Sequence, residues 1–140
     1  MATRVHESTV IDATVEQVWN AIRAMDFKFS SAVKSSETKG NASEVGATHT
    51  ITYNDGTVQT VKVVEISDAR WTISWDVIDS NPAVSYSSAS HTLRLRRVTT
   101  NKTTFVEAVS DYSLDSDANV IADSKLKKLD LFADLAKSFA

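Results

Sequence analysis

The sequence predicts a single α+β domain: a six- to seven-stranded antiparallel sheet wrapped around one long C-terminal α-helix, with two short helices after the first strand. Three observations predict it. Residues 117–140 carry apolar side chains at helical spacing, most of the stretch from 48 to 113 alternates with the period of two that strands require, and the connections inside that stretch are short and rich in turn formers.

Taken in order, residues 3–11 form the first strand. Thr14, followed three residues later by Gln17, makes a capping box that opens a helix burying Val15, Val18, Trp19 and Ile22. After Met25, the 27–29 region reads as a second, shorter helix whose end is blurred by the serine-rich run 30–36. Strands 48–54 and 57–66 flank Asp55-Gly56, a hairpin signal. Strands 70–78, 84–98 and 103–113 follow, and their short connections favour a meander. The closing helix has about six turns. Its expected buried stripe is Ala122, Leu126, Leu129, Ala133 and Ala136, flanked by Ile121, Phe132 and Leu135, with Asp123, Lys127, Asp130, Asp134 and Lys137 opposite. A helix laid on a twisted sheet encloses a hollow, so ligand binding is the first function to consider.

Composition narrows the choice. The chain of 140 residues is 42% hydrophobic and 24% charged, as for a folded domain with one core. A net charge of −3 argues against nucleic acid and anionic membrane surfaces, which both select cationic proteins. There is no cysteine, which removes disulfides, thiol nucleophiles and thiolate metal sites. His6, His49 and His91 lack metal-ligand spacing, so no metal and no cofactor is expected. With no apolar run near the roughly 18 residues of a membrane span, the expected location is cytoplasmic.

The order of elements resembles the helix-grip superfamily, which includes the birch-pollen allergen, START-like lipid carriers, polyketide cyclases/dehydratases and abscisic-acid receptors. The resemblance lies in Ile11-Asp12-Ala13 leading into Val18-Trp19-Asn20-Ala21-Ile22, in Glu44-Val45-Gly46-Ala47-Thr48 opening a strand, and in Asp55-Gly56 and Val64-Glu65-Ile66-Ser67-Asp68. Pro82-Ala83-Val84-Ser85-Tyr86, Thr92-Leu93-Arg94-Leu95 and the closing helix complete it, so that it spans nearly the whole chain. It implies a helix-grip fold and no particular chemistry, because this scaffold hosts carriers, receptors and unrelated enzymes. Phe27-Lys28-Phe29-Ser30-Ser31 stands where many cyclases carry a Trp-His-Pro-type segment. Asn54-Asp55-Gly56-Thr57 replaces the gate loop of the hormone receptors.

Alternation nominates the residues that face the hollow. His49, Ile51 and Tyr53 share one strand face, Val61 and Val63 the next, and Trp71, Ile73, Trp75 and Val77 the third. Tyr86, Ser88 and Ser90 differ in parity from Leu93 and Leu95, so a bulge near His91 is expected to bring both sets inside. On the last strand, Phe105, Glu107, Val109 and Asp111 compete with Val106, Ala108 and Tyr112 for the inner face. The resemblance to abscisic-acid-receptor-like proteins implies an inward carboxylate at Glu107. The expected ligand-binding set is therefore His49, Ile51, Tyr53, Val61, Val63, Trp75, Val77, Tyr86, Ser88 and Glu107, with a small hydrophobic ligand as partner.

Three functions compete. The first is binding or transport of a lipophilic or aromatic molecule. The second is a polyketide cyclase/dehydratase-like enzyme with Glu107 as candidate catalytic residue beside Tyr53, Tyr86 or His49. The third is an interaction module without a ligand. A hydrated or tyrosine-bonded Glu107 and a His49 satisfied by a neighbour are the simpler readings of those residues. Arg94, Arg96 and Arg97 read as a solvated outer strand face.

Overall fold

The computed structural model describes residues 3–41 and 44–140. Its elements are β1 (Thr3–Ile11), α1 (Val15–Arg23), β2 (Val33–Lys39), β3 (Thr48–Tyr53), β4 (Val58–Ser67), β5 (Thr72–Asn81), β6 (Ala89–Val98), β7 (Thr103–Tyr112) and α2 (Ala118–Ser138). The strands form one antiparallel sheet in the order β1-β7-β6-β5-β4-β3-β2. From β2 to β7 it is the expected meander. The segment 12–32 carries the chain from β1 at one edge to β2 at the other. Two register shifts between β4 and β5, at Thr60/Val61 and Val63/Glu65, bend the sheet.

The local signals behave as their chemistry dictates. Thr14 caps α1 by accepting from the Gln17 amide at 3.3 Å, while its own amide donates to Gln17 Oε1 at 3.0 Å. Val15, Val18, Trp19 and Ile22 are buried. Gly56, at φ 90°, takes the left-handed position of the β3–β4 turn, where any side chain would be strained. Asp68 ties α1 to the β4–β5 turn, accepting from Trp19 Nε1 at 2.8 Å and Arg23 Nε at 2.6 Å.

Four expectations about the elements require correction. The 27–29 region is a pair of turns and not a second short helix, with Met25 at φ 56° and Phe27 at φ 51° in a conformation incompatible with continuing a helix. The serine-rich run contributes β2, which supplies the seventh strand. As an edge strand with little burial, it has no clear apolar alternation. The strand expected over 84–98 begins only at Ala89. Its pairing with β7 is unbroken, so no bulge lies at His91.

The fourth correction concerns the face of α2. Its buried residues are Ser124, Lys128, Phe132 and Leu135, whereas Leu126 and Leu129 are 57% and 44% exposed. Ala122, Ala133 and Ala136 are exposed as well. The helix is turned so that two polar side chains, one helical turn apart, point at the sheet. Leu126→Gln and Leu129→Gln should therefore each change stability by less than about 0.5 kcal/mol in urea titrations. A cost above about 2 kcal/mol would return those leucines to the core.

The apolar core falls into two clusters. The larger joins Val18, Trp19 and Ile22 of α1 to Ile51, Val63, Ile73, Leu93, Leu95 and Val106 of the sheet and Phe132 and Leu135 of α2. The smaller is Val5, Ala89 and Tyr112, with Val77, Tyr86, Val120 and Ile121 packed against it.

Candidate functional site

The concave face is laid out by register. Val63, Trp75, His91, Ser110 and Val5 stand opposite one another across β4, β5, β6, β7 and β1. Because β6 runs without a bulge, Ala89, His91, Leu93 and Leu95 share the inner face. On β7 the inner set is Val106, Ala108, Ser110 and Tyr112, all buried.

Two of these residues meet α2 in a buried polar network. Lys128 Nζ donates to Ser110 Oγ and, at 2.8 Å, to Ser124 Oγ. Ser124 Oγ also accepts from the Tyr112 hydroxyl at 2.9 Å. Ser110 Oγ lies 2.6 Å from His91 Nδ1. An ammonium has only donors, so Ser110 accepts from Lys128 and its own hydroxyl donates to His91. That fixes the His91 proton on Nε2. Two of the three Lys128 donors are thus used among the described residues, both on hydroxyls.

Burial sets the protonation of this network. Lys128 is 8% exposed, and desolvation lowers its pKa to about 8, with only distant Glu7 opposing. Glu7 itself stands 4.0 Å from Lys125. His91 is half-buried and lowered to about 3, first by desolvation and then by the charge of Lys128. It is a neutral imidazole at any ordinary pH.

Aromatic rings continue from His91 in both directions. Trp75 lies 5.8 Å away on one side and Phe27 is 6.0 Å beyond it, edge-on, with Phe29 a further 6.1 Å out. On the other side Tyr112 stands at 5.9 Å and Tyr86 at 5.1 Å from Tyr112, both edge-to-face. Tyr53, Trp75, Val77, Tyr86 and His91 are only half-buried. These side chains line the concave face while keeping contact with solvent.

Two loops frame the site. Ser31 of the α1–β2 connection donates through its amide and hydroxyl to Asp134 of α2, at 2.9 and 2.8 Å. At the other end, the Ser87 and Ser88 amides donate to Ser113 Oγ at 3.1 and 3.0 Å. Asp115 accepts from Ser113 and Ser87, which lowers its pKa to about 2.

The nominated residues divide accordingly. Tyr53, Trp75 and Val77 lie on the concave face in the same half-buried zone, and Tyr86 joins them from the loop and not from a strand. Ile51, Val61 and Val63 also point inward, but as fully buried core. His49 is completely buried; its Nδ1 shares a 2.9 Å hydrogen bond with Thr38 Oγ1, Nε2 has no partner among the described residues, and burial lowers its pKa. Ser88 is corrected: it is exposed and part of the loop latch.

Glu107 is corrected as well. It lies on the outer face opposite Arg94 and Ser8 and accepts from His6 Nε2 at 2.9 Å. Its parity is opposite to that of buried Val106 and Ala108, so it is removed as the catalytic candidate. Sequence reasoning missed Lys128, Ser124 and Ser110. Their signal was positional: Ser110 shares parity with Val106, Ala108 and Tyr112, and Ser124 and Lys128 lie on the helix face of Ile121, Phe132 and Leu135.

Elsewhere, an open groove at the β4–β5 turn is lined by Glu65, Arg70, Trp71, Arg94, Arg96 and Arg97. Its arginines are solvated, and Arg97 is engaged by Glu16 and by the Trp71 ring. No group of three or more potential metal ligands occurs among the described residues, and no helix there is long and apolar enough to cross a membrane.

These features define a helix-grip fold whose largely apolar inner face carries one lysine-centred polar cluster. No protein-family model matches the chain, and no curated protein matches it by sequence. Solved structures do match. A protein from Nitrosospira multiformis is 28% identical with a TM-score of 0.86, over 99% of this chain and 97% of that one. Major latex-like protein 151 of Panax ginseng is 15% identical with a TM-score of 0.79, over 98% and 97%. Ara h 8.0201 is 16% identical with a TM-score of 0.80, over 99% and 97%. The fold is therefore the helix-grip fold of the START-like and pollen-allergen-like proteins.

Proposed function

We propose that the protein binds a small amphipathic molecule between the sheet and α2. The lipophilic or aromatic body lies against Tyr53, Trp75, Val77 and Tyr86, and a carboxylate or carbonyl oxygen meets Lys128 and Ser110. The observation that carries this reading is the buried Lys128, which has a donor to spare and no carboxylate within hydrogen-bonding distance among the described residues. Desolvating an ammonium without a counter-charge is costly unless something anionic or strongly accepting completes it. Half-buried aromatic walls around one polar anchor are the usual makeup of a small-molecule site.

Fluorescence titration with naphthoate tests the placement. Saturable binding is expected in the wild type, with affinity weakened at least about tenfold in Trp75→Ala and in Tyr86→Ala, as loss of about 1.4 kcal/mol per ring predicts. Binding that is saturable yet unaffected by both substitutions rejects the placement.

A further inference from the structure

We propose that Lys128 is the nucleophile of a covalent carbonyl site, its amine adding to the carbonyl carbon of a small aromatic or lipophilic aldehyde and holding it as a reversible imine. The inference rests on the binding reading above and adds a reaction to it. Its basis is position. Lys125 and Lys127 are exposed and stand beside Glu7 and Asp123, whereas Lys128 is buried and bonded only to hydroxyls. A lysine kept from water and from carboxylates gives up its proton more readily than one in a salt bridge. With the pKa lowered to about 8, roughly a tenth is free amine at neutral pH.

The neighbours position the nitrogen and supply a proton. The ammonium proton is released to solvent as the pH nears 8, and Ser110 and Ser124 hold the nitrogen in place by hydrogen bonds. The freed lone pair attacks the aldehyde carbon, a C–N bond forms, and the carbonyl π electrons move to oxygen. That oxygen takes up a proton, and the Tyr112 hydroxyl, linked to Lys128 through Ser124, is a phenol placed to pass one on. The oxygen takes up a second proton and departs as water, and the nitrogen gives up its two remaining N–H protons, leaving C=N. The balance is aldehyde plus amine giving imine plus water, with no oxidation or reduction. The aromatic row beside Lys128, Trp75 through Tyr112, favours a flat, apolar aldehyde over a sugar-like one.

The test is reductive trapping. The full chain is incubated with naphthaldehyde and cyanoborohydride, which delivers hydride to the imine carbon, and is then analysed by intact mass and peptide mapping. A single adduct at Lys128 is expected, forming at least about tenfold faster than at any of the other eight lysines. The expected rate rises with pH around a midpoint near 8, below the range of surface lysines. Lys128→Arg and Lys128→Met should each abolish the adduct with the circular dichroism spectrum retained, and Lys127→Arg should leave it in place. Labelling spread evenly over the lysines, or persisting at the same rate in Lys128→Arg, overturns the proposal. Wild-type protein that binds naphthoate but gives no Lys128 adduct overturns the imine alone. Failure of both measurements removes the binding reading as well.

Discussion

Between pH 7 and pH 4 the protein is expected to lose about 3 kcal/mol of folding stability through His91 alone. In the unfolded chain the imidazole takes up its proton near pH 6.5. In the folded site it resists until about pH 3, first because of desolvation and then because Lys128 stands beside it. The unfolded state therefore holds more protons throughout that window, and stability falls as the pH falls through it. Asp111 is the one nearby group that favours the charged imidazole, and it is the weakest influence. Urea unfolding at pH 7, 5 and 4 measures the slope, and His91→Gln, which keeps an acceptor for Ser110, should flatten it by most of that amount. Asp115 contributes in the same direction at lower pH, through hydrogen bonds from Ser113 and Ser87, but equally in both proteins. Parallel slopes in wild type and variant would show that the folded site does not hold His91 neutral through this window.

Lys128→Met is expected to raise stability at pH 7 by about 1–3 kcal/mol and at the same time to weaken naphthoate binding more than about tenfold. The sign follows from linkage. The folded state releases the Lys128 proton near pH 8 and the unfolded state only near 10.5, so holding the charge at neutral pH works against folding. Methionine fills the same volume without a charge, and Ser110 and Ser124 keep His91 and Tyr112 as partners. In the wild type the same linkage makes stability rise between pH 8 and pH 10.5, a rise that the variant should lack. A variant that is less stable, or that binds naphthoate as tightly, would mean that Lys128 is structural.

Legibility in the sequence depended on how apolar each face is. The Thr14–Gln17 box, the Asp55-Gly56 turn and the alternation of His49, Ile51 and Tyr53 are local signals, and no tertiary contact reverses them. The face of α2 was misread because it carries two usable stripes. Leu126 and Leu129 outweigh Ser124 and Lys128 in any count of hydrophobic residues, yet the polar pair is the one inside. Local rules fail in this way where buried polar groups take positions that an apolar pattern would fill.

Glu107 illustrates a different failure. Alternation on β7 left both faces open, and the resemblance tipped the choice toward the wrong one. The deciding information is cross-strand: Leu93 and Leu95 are inward and stand opposite Ala108 and Val106. A bulge assumed at His91 had hidden that register. Of the nominated residues, Tyr53, Trp75, Val77 and Tyr86 are half-buried on the concave side, whereas the polar cluster around Lys128 is visible only in three dimensions.

The pairing of β1 with β7 also constrains how the molecule assembles. Arg4 bonds Asp111 across 107 positions of chain, while the meander from β2 to β7 zips through neighbouring hairpins. Loop closure on that scale is entropically slow, and it cannot precede synthesis of the seventh strand. On the ribosome the first strand therefore waits, unpaired, while the other six emerge. α1 can cover part of their greasy side through Val18, Trp19 and Ile22, but the remainder stays bare until Phe132 and Leu135 of α2 arrive, and this is the interval of greatest need for a chaperone.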